Sequence, residues 1–316
     1  MSLRLISPSV VLVASFFAAV LAADSNSNSK AIVMARSVVP LLGSARAVQL
    51  LKALAVVVLA LNYRALPLFW HIDFYGLIPK LYWRIWTKGD ERAMAIARDP
   101  FEVRTITRGR VTFAESDYNI HMSNSSYAKV LDSARFKWLL ELVGPAFGVG
   151  VWSPLAATSF TFFKEIPLGA KYEIDVHLVS YDDKWMYYVA RFTTAPRRGS
   201  TERTLNCVSF SRSCFKLRGS RLTIPPARVL SASGCGPDRS NWECVLQLRK
   251  EKKMRRWLEY GGALVAKKQG KWVEGKEFPK GEEGWEKDGL EMYEEKRLKG
   301  LPLATRFGDT SGWENL

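Results

Sequence analysis

From Tyr127 onward apolar side chains recur at Tyr127, Val130, Leu131, Ala134, Trp138 and Leu142. That is the 3.6-residue period of a helix with one buried face. Ser123 or Asn124 stands where a cap belongs, and Gly144-Pro145 predicts its end. A strand pattern runs into this helix, from Arg104-Thr105-Ile106 to Val111-Thr112-Phe113. Behind the helix the period changes to two. Alternating, β-rich runs cover Thr158 to Phe163, Tyr172 to Ser180, Trp185 to Thr194 and Asn206 to Leu217. Turn residues separate them at Pro167-Leu168-Gly169, Tyr181-Asp182-Asp183 and Pro196 to Gly199, and Pro225-Pro226 closes the last run. The pattern predicts an α+β domain, an antiparallel sheet wrapped on one long helix, over residues 97–230.

Before that domain the chain is apolar in two places. Leu3 to Ala23 has an early Arg4, an apolar run and small residues near its end, the layout of a secretory signal peptide or a first anchor (residues 1–23). A linker (24–46) follows, polar at first. Ala47 to Leu61 is apolar apart from Gln49 and Lys52, and barely reaches the ~17–20 residues that span a bilayer. Tyr63, Arg64, Trp70, His71, Tyr75, Tyr82, Trp83, Arg84 and Trp86 then form a belt of aromatic and basic groups suited to a membrane interface. Residues 47–96 are therefore expected to be a membrane anchor with a juxtamembrane segment. Membrane lipid is the expected partner of that region.

The polar residues concentrate just ahead of the long helix. Asp117-Tyr118-Asn119-Ile120-His121-Met122-Ser123-Asn124-Ser125-Ser126-Tyr127 brings an acid, amides and an imidazole to a helix N-terminus, where unpaired N–H groups collect partial positive charge. Such a place suits the binding of a polarised carbonyl and the aiming of water at it. This run, with Leu131-Asp132-Ser133-Ala134-Arg135, resembles the signature of the 4-hydroxybenzoyl-CoA-thioesterase-like hotdog family, in its membrane-anchored animal and fungal branch. It is also similar to the D-x-N-x-H-x-x-N pattern of plant acyl-carrier thioesterases. Ala157 to Phe160, Glu165 to Gly169 and Asp182 to Trp185 resemble the same branch, and Glu294 to Gly300 echoes it.

The resemblance implies a hotdog fold, a homodimer and hydrolysis of an acyl thioester at a membrane surface. The substrate would be an acyl-CoA, long-chain ones foremost, or an acyl carrier thioester. Coenzyme A would enter as part of the substrate, with no separate cofactor and no metal. Asp117 would activate water or attack the acyl carbon itself, His121 would share proton transfer or orient the substrate, and Asn119 would hold the water, carboxylate or carbonyl. Ser123, Asn124, Tyr127 and Arg135 are the candidate substrate-binding residues; Tyr127 also lies on the apolar face and reads as packing. Phe147, Val149, Val151, Trp152, Phe160, Phe162 and Phe163 are candidates for an acyl tunnel or for plain core.

Three other readings stay open. A hotdog hydratase uses D-x-N-P-x-H; here His121 is four after Asp117 and the Pro is missing. A noncatalytic acyl-CoA-binding or scaffold protein would keep the fold without turnover. The anchor and basic tail would, in the third reading, be the main function. Forty-six Lys and Arg against 31 Asp and Glu, a formal charge of +15, call for an anionic partner. The densest basic cluster, Arg249 to Arg256, has no zinc or helix-turn-helix pattern with it, so nucleic acid is not expected. Residues 231–316 read as a basic extension, helical over Asn241 to Tyr260, extended or disordered from Ala266 to Asp288, and helical again from Glu291 to Leu301. Cys207, Cys214, Cys235 and Cys244 have neither metal-ligand spacing nor a small disulfide framework. Together with the sequon at Asn124-Ser125-Ser126, they favour a cytosol-facing domain at the endoplasmic reticulum, with mitochondria as the alternative.

Overall fold

A computed structural model describes residues 45–196, 199, 201–219, 223–260 and 290–308, in two compact units divided after Leu66. The Leu3 to Ala23 segment and the stretch from Ala266 to Asp288 lie outside the described residues. In the first unit, helix α1 (Ala45–Leu61) has 17 residues, and from Val48 to Leu61 every side chain is exposed. At 1.5 Å per residue it reaches about 26 Å, short of a bilayer's ~30 Å apolar core. No helix among the described residues is long and apolar enough to cross a membrane. The expected spanning anchor is therefore not supported.

The second unit opens with helices α2 (Phe69–Tyr75), α3 (Leu77–Lys88) and α4 (Asp90–Ala93). Strand β1 (Thr105–Arg110), the long helix α5 (Asn124–Phe147) and strands β2 (Val151–Trp152), β3 (Leu155–Phe162), β4 (Lys171–Tyr181), β5 (Met186–Thr194) and β6 (Thr204–Ser213) follow. Five of these strands form an antiparallel sheet in the order β1-β4-β5-β6-β3. β3, the first long strand after the helix, thus crosses to the far edge, a connection that alternation along the sequence does not encode.

One face of the sheet is packed against α5. Ile174, Val176 and Leu178 of β4, with Tyr188, Ala190 and Phe192 of β5, meet Tyr127, Leu131, Ala134, Trp138 and Leu142 in one core. Trp138 is fully buried, and its Nε1–H donates to the Val103 carbonyl at 3.1 Å. The helix does not end at Gly144-Pro145. Regular geometry breaks at Val143 (φ −128°, ψ 19°), and one further turn carries Pro145 to Phe147, as expected when Pro removes a backbone donor. The run from Asn206 to Leu217 is two strands. It breaks at Cys214, after which β7 (Phe215–Leu217) joins β2 and β8 (Thr223–Ile224) in a separate small sheet.

Beyond β8 the chain keeps feeding the same core. Pro226 starts helix α6 (Pro226–Ser231), followed by α7 (Ser240–Lys250) and α8 (Met254–Tyr260). Trp242, Val245, Leu248, Met254, Trp257 and Leu258 are buried with the residues under α5. The expected single helix over Asn241 to Tyr260 is broken at Lys252, whose φ is +56°. Arg249, from the basic cluster, donates to the Pro145 carbonyl at 2.6 Å, so it is tied to the domain.

Helix α9 (Glu294–Gly308) lies on β4. Ser180 Oγ donates to the Arg297 carbonyl at 2.7 Å, and Arg297 Nη1 donates to the Tyr181 carbonyl at 3.0 Å. Lys296 pairs with Asp99 and Glu102. The β4–β5 register shifts between Leu178 and Ser180. Gly300 sits on the Val179 carbonyl there, so close that no Cβ fits.

Candidate active site

The loop between β1 and α5 is held from its own backbone. Thr112 and Glu115 close a capping box. The buried Glu115 carboxylate accepts from the Thr112 N–H at 3.0 Å and from its hydroxyl at 3.2 Å. The Glu115 carbonyl accepts from the Ser123 N–H, and Asp117 N–H donates to the His121 carbonyl at 3.0 Å. Met122 N–H reaches the Ile166 carbonyl, and Leu168 N–H reaches the Ile120 carbonyl. These bonds pin the loop against the Glu165 to Gly169 turn. They require Ile120 at φ +62°, a left-handed conformation that a β-branched residue rarely adopts. Strain of this kind is sustained only where the surrounding bonds leave the backbone no alternative.

The result is a short row of titratable groups. Asp117 Oδ2 lies 3.2 Å from His121 Nδ1. His121 Nε2 lies 3.4 Å from Glu165 Oε1. Asp117 Oδ1 accepts the Asn119 backbone N–H at 2.9 Å. One imidazole therefore faces a carboxylate on each side. The Asp117 and His121 side chains are half-buried, and Glu165 is open to solvent. The Glu165 backbone is fixed instead, its carbonyl accepting from Asn206 Nδ2 at 3.0 Å. Immediately beyond this row α5 begins. The N–H groups of Asn124 and Ser125, at its first positions, have no acceptor within the helix.

The seven residues expected at the site are not all together. Asp117 and His121 are in contact. Asn119 is exposed and reaches Asp117 through its backbone, not its amide. Ser123 is the N-cap of α5, but its hydroxyl faces Ser126 (2.8 Å) and Ser125 (3.2 Å) and makes no cap bond. Asn124 is exposed at the first helical position. Tyr127 is core: its ring stands 5.1 Å from Phe162 and 5.0 Å from Phe192, edge-on to both. Burial pushes its hydroxyl well above the usual tyrosine range. Arg135 lies two helical turns further on, about 12 Å along the axis from Tyr127. It is buried and donates to Asp132 at 2.8 Å. It therefore stands apart from the Asp117–His121 pair.

Glu165 was not among the expected residues. The only sign of it in the sequence is its place in the Glu165 to Gly169 run. Its approach to His121 depends on the isolated bridge between His121 and Pro167, which joins distant segments. Burial pushes the Cys207 thiol up to about 12, so it is protonated at neutral pH and a poor nucleophile. Among the described residues no group of His, Cys, Asp and Glu is arranged to hold a metal ion.

Residues 111–232 match the family model of the thioesterase-like superfamily. "Probable thioesterase atnL" of Emericella nidulans is 26% identical over 226 residues, 60% of this chain and 73% of that protein. "Thioesterase lcsJ" of Purpureocillium lilacinum is 26% identical over 155 residues, 42% of this chain and 49% of that protein, so the match spans about half of that relative. A solved 4-hydroxybenzoyl-CoA thioesterase bound to 4-hydroxybenzoyl CoA is 11% identical, at a TM-score of 0.35, over 39% of this chain and 94% of that one. The matched stretch begins at Val111 and so takes in the Asp117–His121 pair, Glu165, and the whole sheet apart from β1.

Proposed function

We propose that the thioesterase-like domain hydrolyses acyl-CoA thioesters with long acyl chains, as a homodimer. The observation that carries the reading is the Asp117–His121 pair, 3.2 Å apart at the start of α5. Asp117 takes a proton from water, and the oxygen attacks the acyl carbon. The negative charge that develops on the carbonyl oxygen is met by the unpaired N–H groups at the start of α5. The carbon–sulfur bond then breaks, and the departing sulfur takes a proton from the Asp117–His121 pair. Acid and free thiol leave, one water having been consumed. Glu165 keeps His121 oriented from its other nitrogen.

Support for a long acyl chain comes from β3. Phe160 and Phe162 stack at 6.0 Å on the α5 side of the sheet. Phe162 and the neighbouring Phe163 are exposed. β3 pairs only with β6 among the described strands. A second copy pairing along that edge would cover the aromatic side chains and close an apolar channel beside the site.

The test is thiol release from a chain-length series of acyl-CoA esters, with the purified protein and its Asp117→Asn variant. Turnover that rises with chain length and drops at least a hundredfold in the variant is the expected result. Full turnover in Asp117→Asn refutes the base. Saturable acyl-CoA binding with no turnover in either protein points to an acyl-CoA-binding protein without hydrolysis.

A further inference from the structure

Helices α2 and α3 present two unlike sides. The inner side is fastened to α5. Phe74 stacks on Phe136 at 4.2 Å, Ser133 Oγ donates to Asp73 Oδ2 at 2.6 Å, and Arg84 lies 3.8 Å from Glu141. Leu81 and Ile85 pack against the core. The outer side is bare. Leu68 at the N-cap of α2, Ile72 and Tyr75 along it, and Tyr82, Trp83 and Trp86 along α3 are all exposed. Trp83 is 64% and Trp86 77% accessible, and their rings stand 5.0 Å apart. Single exposed apolar residues are ordinary; six on two joined helices are not.

The charges around this side are mostly basic. Asp73 is the only acid from Pro67 to Lys88; it is exposed, and its carboxylate accepts from Ser133 Oγ. Arg84 turns inward, to Glu141. Lys80 and Lys88 remain exposed. A protein interface excludes lysine from its apolar centre. An anionic bilayer surface takes both features: indole and phenol rings settle at headgroup depth while lysines reach the phosphates. The preceding segment has the same character. From Val48 to Leu61, α1 is exposed all round and apolar but for Gln49 and Lys52.

From this we infer that α2 and α3 form a lipid-docking face, which lies flat in an anionic membrane surface through Leu68, Ile72, Tyr75, Tyr82, Trp83 and Trp86. The face is distinct from the candidate active site, and the inference does not rest on the hydrolytic reading.

The test uses the full chain with Trp86→Cys carrying an environment-sensitive fluorophore. A second protein carries the same label at Lys171→Cys, an exposed site at the start of β4. Each is mixed with vesicles of phosphatidylcholine alone, or with a third phosphatidylserine, with and without brominated acyl chains. The expected result is a blue shift and bromine quenching at position 86 and neither at 171, with binding weakened by salt or by removing phosphatidylserine. A label at 86 that stays aqueous while the protein sediments with vesicles overturns the inference, because α1 alone would then be the attachment. Failure to bind vesicles overturns it too. A blue shift without vesicles that grows with protein concentration overturns it in favour of a second copy covering the face.

Discussion

Gly300→Ala separates packing from helix propensity, because the two act in opposite directions. In a free helix interior the change stabilises by about 1 kcal/mol. In α9 the new methyl group would stand inside 3.0 Å of the Val179 carbonyl oxygen, 3.0 Å from its carbon and 3.2 Å from Ser180 Cβ. The oxygen belongs to a strand held by β1 and β5 on either side, so the helix has to give. Overpacking of this kind costs about 1–3 kcal/mol. Lifting α9 also weakens the Ser180–Arg297 and Arg297–Tyr181 hydrogen bonds, each worth about 1 kcal/mol. The net expectation is a loss of about 2 kcal/mol, or roughly 4–8 °C in melting temperature for a domain of this size. Urea denaturation gives the sign directly, and limited proteolysis locates the change at α9. Lys299→Ala, on an exposed neighbour, serves as the control and changes little. A Gly300→Ala protein about 1 kcal/mol more stable than the parent would refute the docking of α9 on β4.

Three further expectations follow from particular side chains. Tyr127→Phe keeps the ring that meets Phe162 and Phe192, so stability changes by less than about 1 kcal/mol and thioester turnover by less than a few-fold; Tyr127→Ala costs about 3–5 kcal/mol in a urea titration. Glu165→Gln leaves the fold intact and slows thiol release about tenfold, on the scale of a lost positioning contact at 3.4 Å, and an unchanged rate across the pH range removes Glu165 from the site. His177 titrates at about 4 in the folded protein, lowered first by burial and then by Arg104, against ~6.5 unfolded. The unfolded chain therefore binds the proton more readily in that window. Stability falls as pH drops from about 6.5 toward 4, by at most ~1.4 kcal/mol per pH unit, and urea midpoints for His177→Asn should show a flatter slope there.

The repeating parts of the fold are readable because each repeats a physical requirement. Leu131, Ala134, Trp138 and Leu142 recur as one face of a helix must, and β4 alternates as a half-buried strand must. The strand order is different. Nothing near Leu155 to Phe162 specifies that β3 pairs with β6 across the sheet, since that choice is settled by long-range packing. The candidate site divides the same way. Asp117 and His121 are four residues apart within one loop, and the loop's own hydrogen bonds bring them together. Glu165 reaches His121 from another segment, through backbone pairing that leaves no periodic mark. Asn119 and Tyr127 fit the motif equally well as letters. One turns to solvent and the other into the core, because Ile120 takes a left-handed conformation and Tyr127 falls on the buried stripe.

The clasp made by α9 joins positions far apart in the order of synthesis. Lys296 meets Asp99 and Glu102 across 197 and 194 residues, and Arg297 meets Ser180 and Tyr181 across 117 and 116. On the ribosome the strands from β1 to β6 are available to pair well before α9 emerges. Until it does, the bulge at Val179 is uncovered. A chain halted anywhere between β8 and α9 would carry that mark, which gives chaperones and proteases a feature by which to tell it from one that has been extended through Gly308.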